Sequence, residues 1–232
     1  MEQIQSKIVV VIPAYNEAPV IQKTLNEVLK FISAKDILVI DDGSSDQTAE
    51  LVQALGVKVV RHVINLGCGG AIKTGLDYAV KKMQADIVVT FDADGQHDAS
   101  QIQSIIEPIS NHQADLVIGS RFISENLDMP WYRVLANKIA NLITFILFGA
   151  KITDSQSGLR AFSRESLQKL KLESNTFEFS SEIIIEARRN KLKIIEKPIN
   201  VRYTDYSLSK GQGFFRAGPK TLYKLILKRI LD

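Results

Sequence analysis

The chain predicts one α/β domain spanning residues 1–232, a doubly wound and mainly parallel sheet with helices on both faces and amphipathic helices toward its C-terminal end. Three observations lead there. Up to residue 122, short apolar runs rich in β-branched residues alternate with helix-length segments, the rhythm of β-α-β units. Most of these runs end in a polar cluster with Gly or Pro, so a parallel arrangement gathers the loops on one edge of the sheet. The length of 232 residues, with 45% hydrophobic content, supplies a substantial core, and the single Cys68 rules out an internal disulfide framework.

Residues 7–12 (KIVVVI) form the first strand, stopped by Pro13, with PAYNE (13–17) as its exit loop and a helix over 18–31. The second strand, 37–40, ends in DDGSSD (41–46), where Gly43 permits a turn and Ser45 or Asp46 caps a helix running to residue 55. Residues 57–60 give the third strand, and NLGCGG (65–70) opens a helix to residue 83. The fourth strand, 87–90, runs into FDADGQHD (91–98), followed by a helix over 100–111. The fifth, 115–119, ends in Ser120-Arg121-Phe122.

Beyond Phe122 the rhythm breaks. Residues 132–148 form a helix about 25 Å long at 1.5 Å per residue, apolar around most of its circumference, with Arg133 and Lys138 its only charges. Those apolar faces need cover. DSQSGLRAF (154–162) is a polar loop entering a short strand, and 181–190 is a helix. Residues 194–203 form a strand that Pro198 confines to an edge, and 219–231 a basic amphipathic helix.

Net charge is only +3 but unevenly spread. Residues 1–116 hold nine Lys and Arg against fifteen Asp and Glu, whereas 117–232 hold twenty against eleven. The basic half calls for an anionic partner. With no helix-turn-helix, zinc or RNP signature, nucleic acid is not expected, and a phosphate-bearing lipid or membrane surface is. No stretch resembles a signal peptide, and the longest uncharged run, 139–150, falls short of the ~20 apolar residues of a spanning helix. The expected place is therefore cytoplasmic, peripheral at the cytoplasmic face of a membrane.

The chemistry centres on Asp92 and Asp94. Carboxylates two apart on extended backbone point to the same side, and Gly95 lets the chain turn directly afterwards. Such a pair at a strand end suits a divalent cation that keeps positions free for phosphate oxygens, with Gln96, His97 and Asp98 as further ligands or supports. An EF-hand loop is excluded, because Gly95 stands fourth from Asp92 instead of sixth. A dinucleotide fingerprint is excluded, because Gly67, Gly69 and Gly70 follow the third strand at the wrong spacing. An Asp-x-Asp phosphatase would place the pair after the first strand and add late carboxylates. A sugar nucleotidyltransferase would show a Gly-rich, Arg-containing loop where PAYNE stands.

Taken together, VVIPAYNE (10–17), VIDDGSSDQT (39–48), NLGCGGAIKTGL (65–76), FDADGQHD (91–98) and GSRF (119–122) resemble the family 2 glycosyltransferases of GT-A fold. DSQSGLRAF (154–162), FEFSSEI (177–183) and KPINVRY (197–203) narrow the resemblance to the polyprenyl-phosphate glycosyltransferases, among them the dolichol-phosphate mannosyltransferases.

The resemblance implies a nucleotide-sugar half, 1–122, and an acceptor and membrane-facing half, 123–232. Pro13, Tyr15 and Glu17 would line the base and ribose pocket. Asp41 and Asp42 would close it, one reaching the nucleotide and the other bracing the loop. Asp92, Asp94 and Gln96 would hold Mg²⁺ or Mn²⁺ against the diphosphate, Asp94 most directly. The implied reaction is inverting transfer of a hexose to polyprenyl phosphate, with GDP-mannose favoured as donor and UDP-glucose or UDP-N-acetylglucosamine as alternatives. A nucleotide-sugar-binding subunit without turnover is the other alternative.

A lipid phosphate is already anionic at neutral pH, so arginines matter more than a side-chain base. Arg121, Arg133 and Arg202 are the candidates to grip it, assisted by Lys210, and Arg121 joins Asp94 as a catalytic residue. A membrane surface, a membrane-protein partner and a second copy of the chain are the macromolecular partners left open. The glycines at 67, 69 and 70 permit either close packing or presentation of N–H groups to anionic oxygens. Cys68 reads as a packing residue. Glu178 and Glu182 serve either sugar hydroxyls or a helix N-terminus.

Overall fold

One sheet of seven strands runs in the order β3-β2-β1-β4-β6-β5-β7. The computed structural model describes residues 6–123, 129–175 and 178–210. The strands are β1 (Ile8–Ala14), β2 (Ile37–Asp41), β3 (Lys58–Arg61), β4 (Ile87–Thr90), β5 (Leu116–Ser120), β6 (Arg160–Ser163) and β7 (Ile194–Pro198). The helices are α1 (Ile21–Val28), α2 (Thr48–Gln53), α3 (Cys68–Lys81), α4 (Ile102–Ser110), α5 (Trp131–Phe148), α6 (Arg164–Lys169), α7 (Phe179–Arg189) and α8 (Asp205–Lys210).

The period-2 alternation of the strands sorts the core into two layers. Val10, Ile12, Val39 and Val89 face one side, covered by Ile21 and Leu25 of α1 and by Ile102, Ile105 and Ile106 of α4. Val9, Val11, Leu38, Ile40 and Val88 face the other, against Ala71, Ile72 and Leu76 of α3 and Ile183 and Ile184 of α7. Helices on both faces explain why the strands read as continuous apolar runs. The packing of α3 on β1 is close enough that a methyl at Gly75 would overlap Val11 Cγ1.

The expected parallel strands β1 to β5 are all present, and the parallel pairings are β1 with β2, β1 with β4, β2 with β3 and β5 with β7. β6, the short strand expected after the 154–159 loop, lies antiparallel between β4 and β5. Helix α1 starts at Ile21 instead of 18, because Glu17 O takes both Val20 N and Ile21 N in a turn. β7 stops at Pro198 instead of 203, since proline has no N–H for a ladder. The chain continues beneath the acidic motif, where Val201 makes an isolated bridge with His97. The short helices α6 and α8 were not expected. The helix expected at 219–231 lies outside the described residues.

Helix α5 spans Trp131–Phe148 and ends at Gly149, whose φ of 66° supplies the left-handed cap. Its polarity is inverted. Asn137 and Thr144 are buried against the protein, while Trp131 is 77%, Leu135 52%, Leu142 55% and Ile146 68% exposed. Among the described residues, no helix is long and apolar enough to cross a membrane.

Candidate active site

The exit loops of β1, β2 and β4 surround a cavity of about 550 Å³. The first two loops are stitched to each other. Asn16 N donates to Ser44 Oγ at 2.9 Å, and Ser45 N donates to Asn16 Oδ1 at 2.8 Å. Glu17 N reaches Thr48 Oγ1 at 2.9 Å, and Ala18 N reaches Asp46 Oδ2 at 3.1 Å. This stitching sets Pro13, Tyr15 and Glu17 on the cavity wall. Glu17 is buried and accepts a 2.8 Å hydrogen bond from Tyr206 Oη of α8. Burial and the Glu17 carboxylate push the Tyr206 hydroxyl upward, so it remains a donor.

The neighbouring aspartates divide their work. Asp41 is fully buried, accepts from Ser44 N at 3.0 Å and has Arg61 Nε 3.1 Å away, and it is not part of the cavity wall. Asp42 lines the cavity while bracing the next loop, accepting from Leu66 N at 2.9 Å and Gly67 N at 2.8 Å and lying 2.7 Å from His62 Nδ1.

Both motif carboxylates line the same cavity with Gln96, but β4 ends at Thr90 and Ala93 and Asp94 lie in a turn, so the turn brings them together and not the extended backbone expected from the two-residue spacing. Gly95, at φ 75°, turns the chain, and Gln96 N donates to Asp94 Oδ1 at 3.0 Å. Thr24 Oγ1 of α1 fastens the turn through Ala93 O at 2.9 Å. Asp92 Oδ2 lies 2.9 Å from His97 Nε2, and the buried imidazole meets the Phe91 ring edge-on at 5.5 Å.

The two carboxyls titrate in opposite directions. Burial acts to raise Asp92, but the His97 bond and the charges of His97, Arg121 and Arg160 hold it below the usual range. Asp94 is pushed up to about 6, by burial first and then by the charge of Asp92. Two hard-oxygen groups, one of them strained by its neighbour's charge, fit a divalent cation. Among the described residues no group of three or more His, Cys, Asp or Glu gathers as a metal cage. Coordination by Asp92 and Asp94 would thus leave positions for other oxygens.

A second cavity of about 230 Å³ adjoins the first, and both are lined by Cys68, Asp92, Arg121, Arg133, Gln156 and Gly158. Arg121 grips the buried Asp154 with Nε and Nη2, each at 2.7 Å, and Nη2 lies 3.3 Å from Asn137 Oδ1. Burial works against its charge, but Asp154 prevails and raises the guanidinium further. Arg133 of α5 sits over the Tyr203 ring, 5.8 Å from its centroid, and Nη2 is 3.4 Å from Ser207 O. Arg160 is buried on the second cavity's wall, and its N–H groups go to Ser155 O, Ser157 O and Ser180 O at 2.7, 2.9 and 3.2 Å. That burial lowers it to about 10.

Arg202 is not on either wall. Its Nη1 is 3.1 Å from both oxygens of Glu27, and Nη2 is 3.6 Å from Asp98 Oδ2. Lys210 ends α8, and its side chain lies outside the described residues. Gly69 and Gly70 serve packing. A Cβ on Gly69 would stand 2.8 Å from Ser174 O, Asn175 C and Phe179 Cβ, and Gly70 N donates to Asn175 O at 3.2 Å. Cys68 opens onto the cavities and is exposed there, so it is not the packing residue expected, and surrounding protein and then the charges of Asp92 and Asp42 push its thiol upward. Glu182 is fully buried and caps the segment before α7, accepting from Glu173 N at 3.2 Å and Ser174 N at 2.9 Å.

Residues 9–171 match the model of Glycosyl transferase family 2. The chain belongs to this family. This glycosyltransferase is 38% identical to the UDP-N-acetylglucosamine–dolichyl-phosphate N-acetylglucosaminyltransferase of Methanococcus voltae, over 96% of each chain. It is 31% identical to the polyprenol monophosphomannose synthase of Mycolicibacterium smegmatis, over 88% of this chain and 80% of that one. Its fold matches glucosyl-3-phosphoglycerate synthase of Mycobacterium tuberculosis, solved with Mn²⁺, UDP and glucosyl-3-phosphoglycerate, with a TM-score of 0.74 at 21% identity, covering 95% of this chain and 80% of that one. The GT-A arrangement expected from the motifs is the one observed.

The sequence pointed to Asp92, Asp94 and Arg121 in this glycosyltransferase, and to His97 as a support of the acidic motif, but not to their more distant partners. Asp154, Gly158, Arg160 and Tyr206 each reach the site from more than 30 residues away. The DSQSGLRAF run was the only sign of the first three, and Tyr206 carried none.

Proposed function

We propose that this glycosyltransferase moves a hexose or N-acetylhexosamine unit from a nucleoside-diphosphate sugar to the phosphate of a polyprenyl lipid, with inversion at the anomeric carbon. The observation that carries this is the meeting of Asp92 and Asp94 with Arg121 and Arg133 around adjoining cavities. In this reading Pro13, Tyr15, Glu17 and Asp42 surround the nucleoside, and Asp41 holds their loop in place. Asp92, Asp94 and Gln96 would hold Mg²⁺ or Mn²⁺, the Mn²⁺ of the structural neighbour favouring the latter. The bound cation would neutralise the diphosphate as it departs.

The acceptor's phosphate oxygen is anionic before it arrives, so no side chain need remove a proton. Arg133 and Arg121 orient that phosphate for attack opposite the departing diphosphate, and Asp154 keeps the Arg121 guanidinium in place. Arg202, held by Glu27 and Asp98 away from both walls, is left out of this grip, and Lys210 is kept as its proposed assistant. The donor we place first is UDP-N-acetylglucosamine, because the relative with that activity is the more similar of the two, and GDP-mannose follows. The outward apolar face of α5 supports a place for the enzyme on the membrane surface that would carry such an acceptor.

The test is transfer of labelled sugar into solvent-extractable polyprenyl phosphate with Mn²⁺ or Mg²⁺, using UDP-N-acetylglucosamine, GDP-mannose and UDP-glucose in parallel. Label is expected in the lipid from one donor and none with Asp94→Asn. Metal-dependent nucleotide binding without transfer to the lipid from any donor would overturn the acceptor.

A further inference from the structure

Resting on the reading of Asp92 as a cation ligand, we propose that His97 and Gly158 are positioning residues that hold the Asp92 carboxylate in a single orientation. The carboxylate is contacted from two directions. On one side His97 Nε2 stands 2.9 Å from Oδ2. The imidazole is 3% exposed, rests edge-on against Phe91, and its backbone bridges to Val201, so it has no room to swing. Its Nδ1 is buried without a hydrogen-bond partner among the described residues, which leaves Asp92 as the ring's polar contact.

On the other side lies bare backbone. A methyl at Gly158 would overlap Oδ1, Oδ2 and Cγ of Asp92. Gly158 is not among the glycines of positive φ, so no left-handed backbone calls for glycine there, and the nearest obstacle to a side chain is the carboxylate. Nor can the loop retreat. Thr90 Oγ1 donates to Gly158 O at 2.7 Å, the Thr90–Arg160 register pins the strand just beyond, and Arg160 holds Ser155 O and Ser157 O at 2.7 and 2.9 Å. A side chain at 158 would therefore move Asp92 and not the loop. A ligand held by surrounding groups before the cation arrives binds it more tightly than one free to rotate.

The experiment is Mn²⁺ titration of the full chain, followed by electron paramagnetic resonance of the free ion, with and without UDP. Gly158→Ala and His97→Leu are expected to weaken Mn²⁺ binding about 10- to 100-fold. His97→Gln, which returns an N–H near the place of Nε2, is expected to restore it to within a few-fold. Wild-type affinity in Gly158→Ala, or His97→Gln as weak as His97→Leu, would overturn the proposal. Asp92→Asn distinguishes the two levels. If that variant binds Mn²⁺ like wild type, Asp92 is no ligand and the underlying reading fails; if it loses Mn²⁺ while Gly158→Ala does not, only the positioning fails. Should Gly158→Ala lower the melting temperature, adding Asp92→Ala removes the overlapped carboxylate and is expected to restore it. A double variant as unstable as the single would show that the overlap lies elsewhere.

Discussion

Asp94 sets the needs of the site against those of the fold. Its carboxyl rises from 3.8 to about 6, through burial and then the charge of Asp92, so the folded protein holds this proton more tightly than the unfolded chain does. The penalty is therefore present above pH 6 and disappears as pH falls toward 4. Two pKa units correspond to about 3 kcal/mol, which solvent around the half-buried side chain reduces to about 1–2 kcal/mol. Asp94→Asn is expected to raise the melting temperature at pH 7.5 without added metal by about 2–8 °C, and by less at pH 5, while transfer is lost. An unchanged melting temperature at pH 7.5 would show that neither burial nor the charge of Asp92 penalises the Asp94 carboxylate. Tyr206 poses a similar competition, because it donates to Glu17 at 2.8 Å, the carboxylate that the proposed function assigns to the nucleoside. Removing one hydrogen bond of about 1 kcal/mol, Tyr206→Phe is expected to tighten UDP or GDP binding several-fold by calorimetry. Weaker binding would mean that the phenol itself contacts the nucleotide.

At the scale of elements, α5 stands apart. An amphipathic helix normally turns its apolar stripe to the core, whereas α5 turns Asn137 and Thr144 inward and leaves Leu135, Leu142 and Ile146 exposed. The inward residues have partners: Asn137 Nδ2 donates to Arg133 O at 2.8 Å, and its Oδ1 faces Arg121. The outward stripe is the kind of contiguous apolar patch that marks a membrane or partner surface. Leu135→Glu with Leu142→Glu is expected to cut binding to anionic phospholipid vesicles at least tenfold while leaving the melting temperature unchanged, since neither side chain supports the core. Vesicle binding equal to wild type would remove the membrane from this face and leave a protein partner.

Across the whole molecule, the two halves expected from the motifs share one sheet. β6 and β7 come from the second half, and β6 slots between β4 and β5. Insertion of β6 lays Gly158 beside Asp92, so Arg121, Arg133 and the two motif carboxylates line adjoining cavities on one sheet. A ligand that binds only the folded frame stabilises all of it. Mn²⁺ with UDP or GDP at about 100 times Kd is expected to add about 2.7 kcal/mol, seen as a melting shift of about 5–11 °C that requires the metal and vanishes in Asp94→Asn. A shift of equal size without metal would place the nucleotide independently of the carboxylates.

The sequence by itself determined β1 to β5, the helices between them and the acidic corner of the candidate site, because these depend on short-range signals: apolar runs, and the turn residues that place Asp92 and Asp94 beyond β4. It left open which of Asp41 and Asp42 reaches the cavity, since adjacent carboxylates look alike until Arg61 and Ser44 take one of them. Only the tertiary structure decided the antiparallel placement of β6, the pairing of Arg121 with Asp154, the turning of Arg202 toward Glu27 and the inverted face of α5. Each rests on contacts between residues far apart in the chain, or on which side of a helix meets the protein, and such contacts exist only once the sheet has brought the segments together.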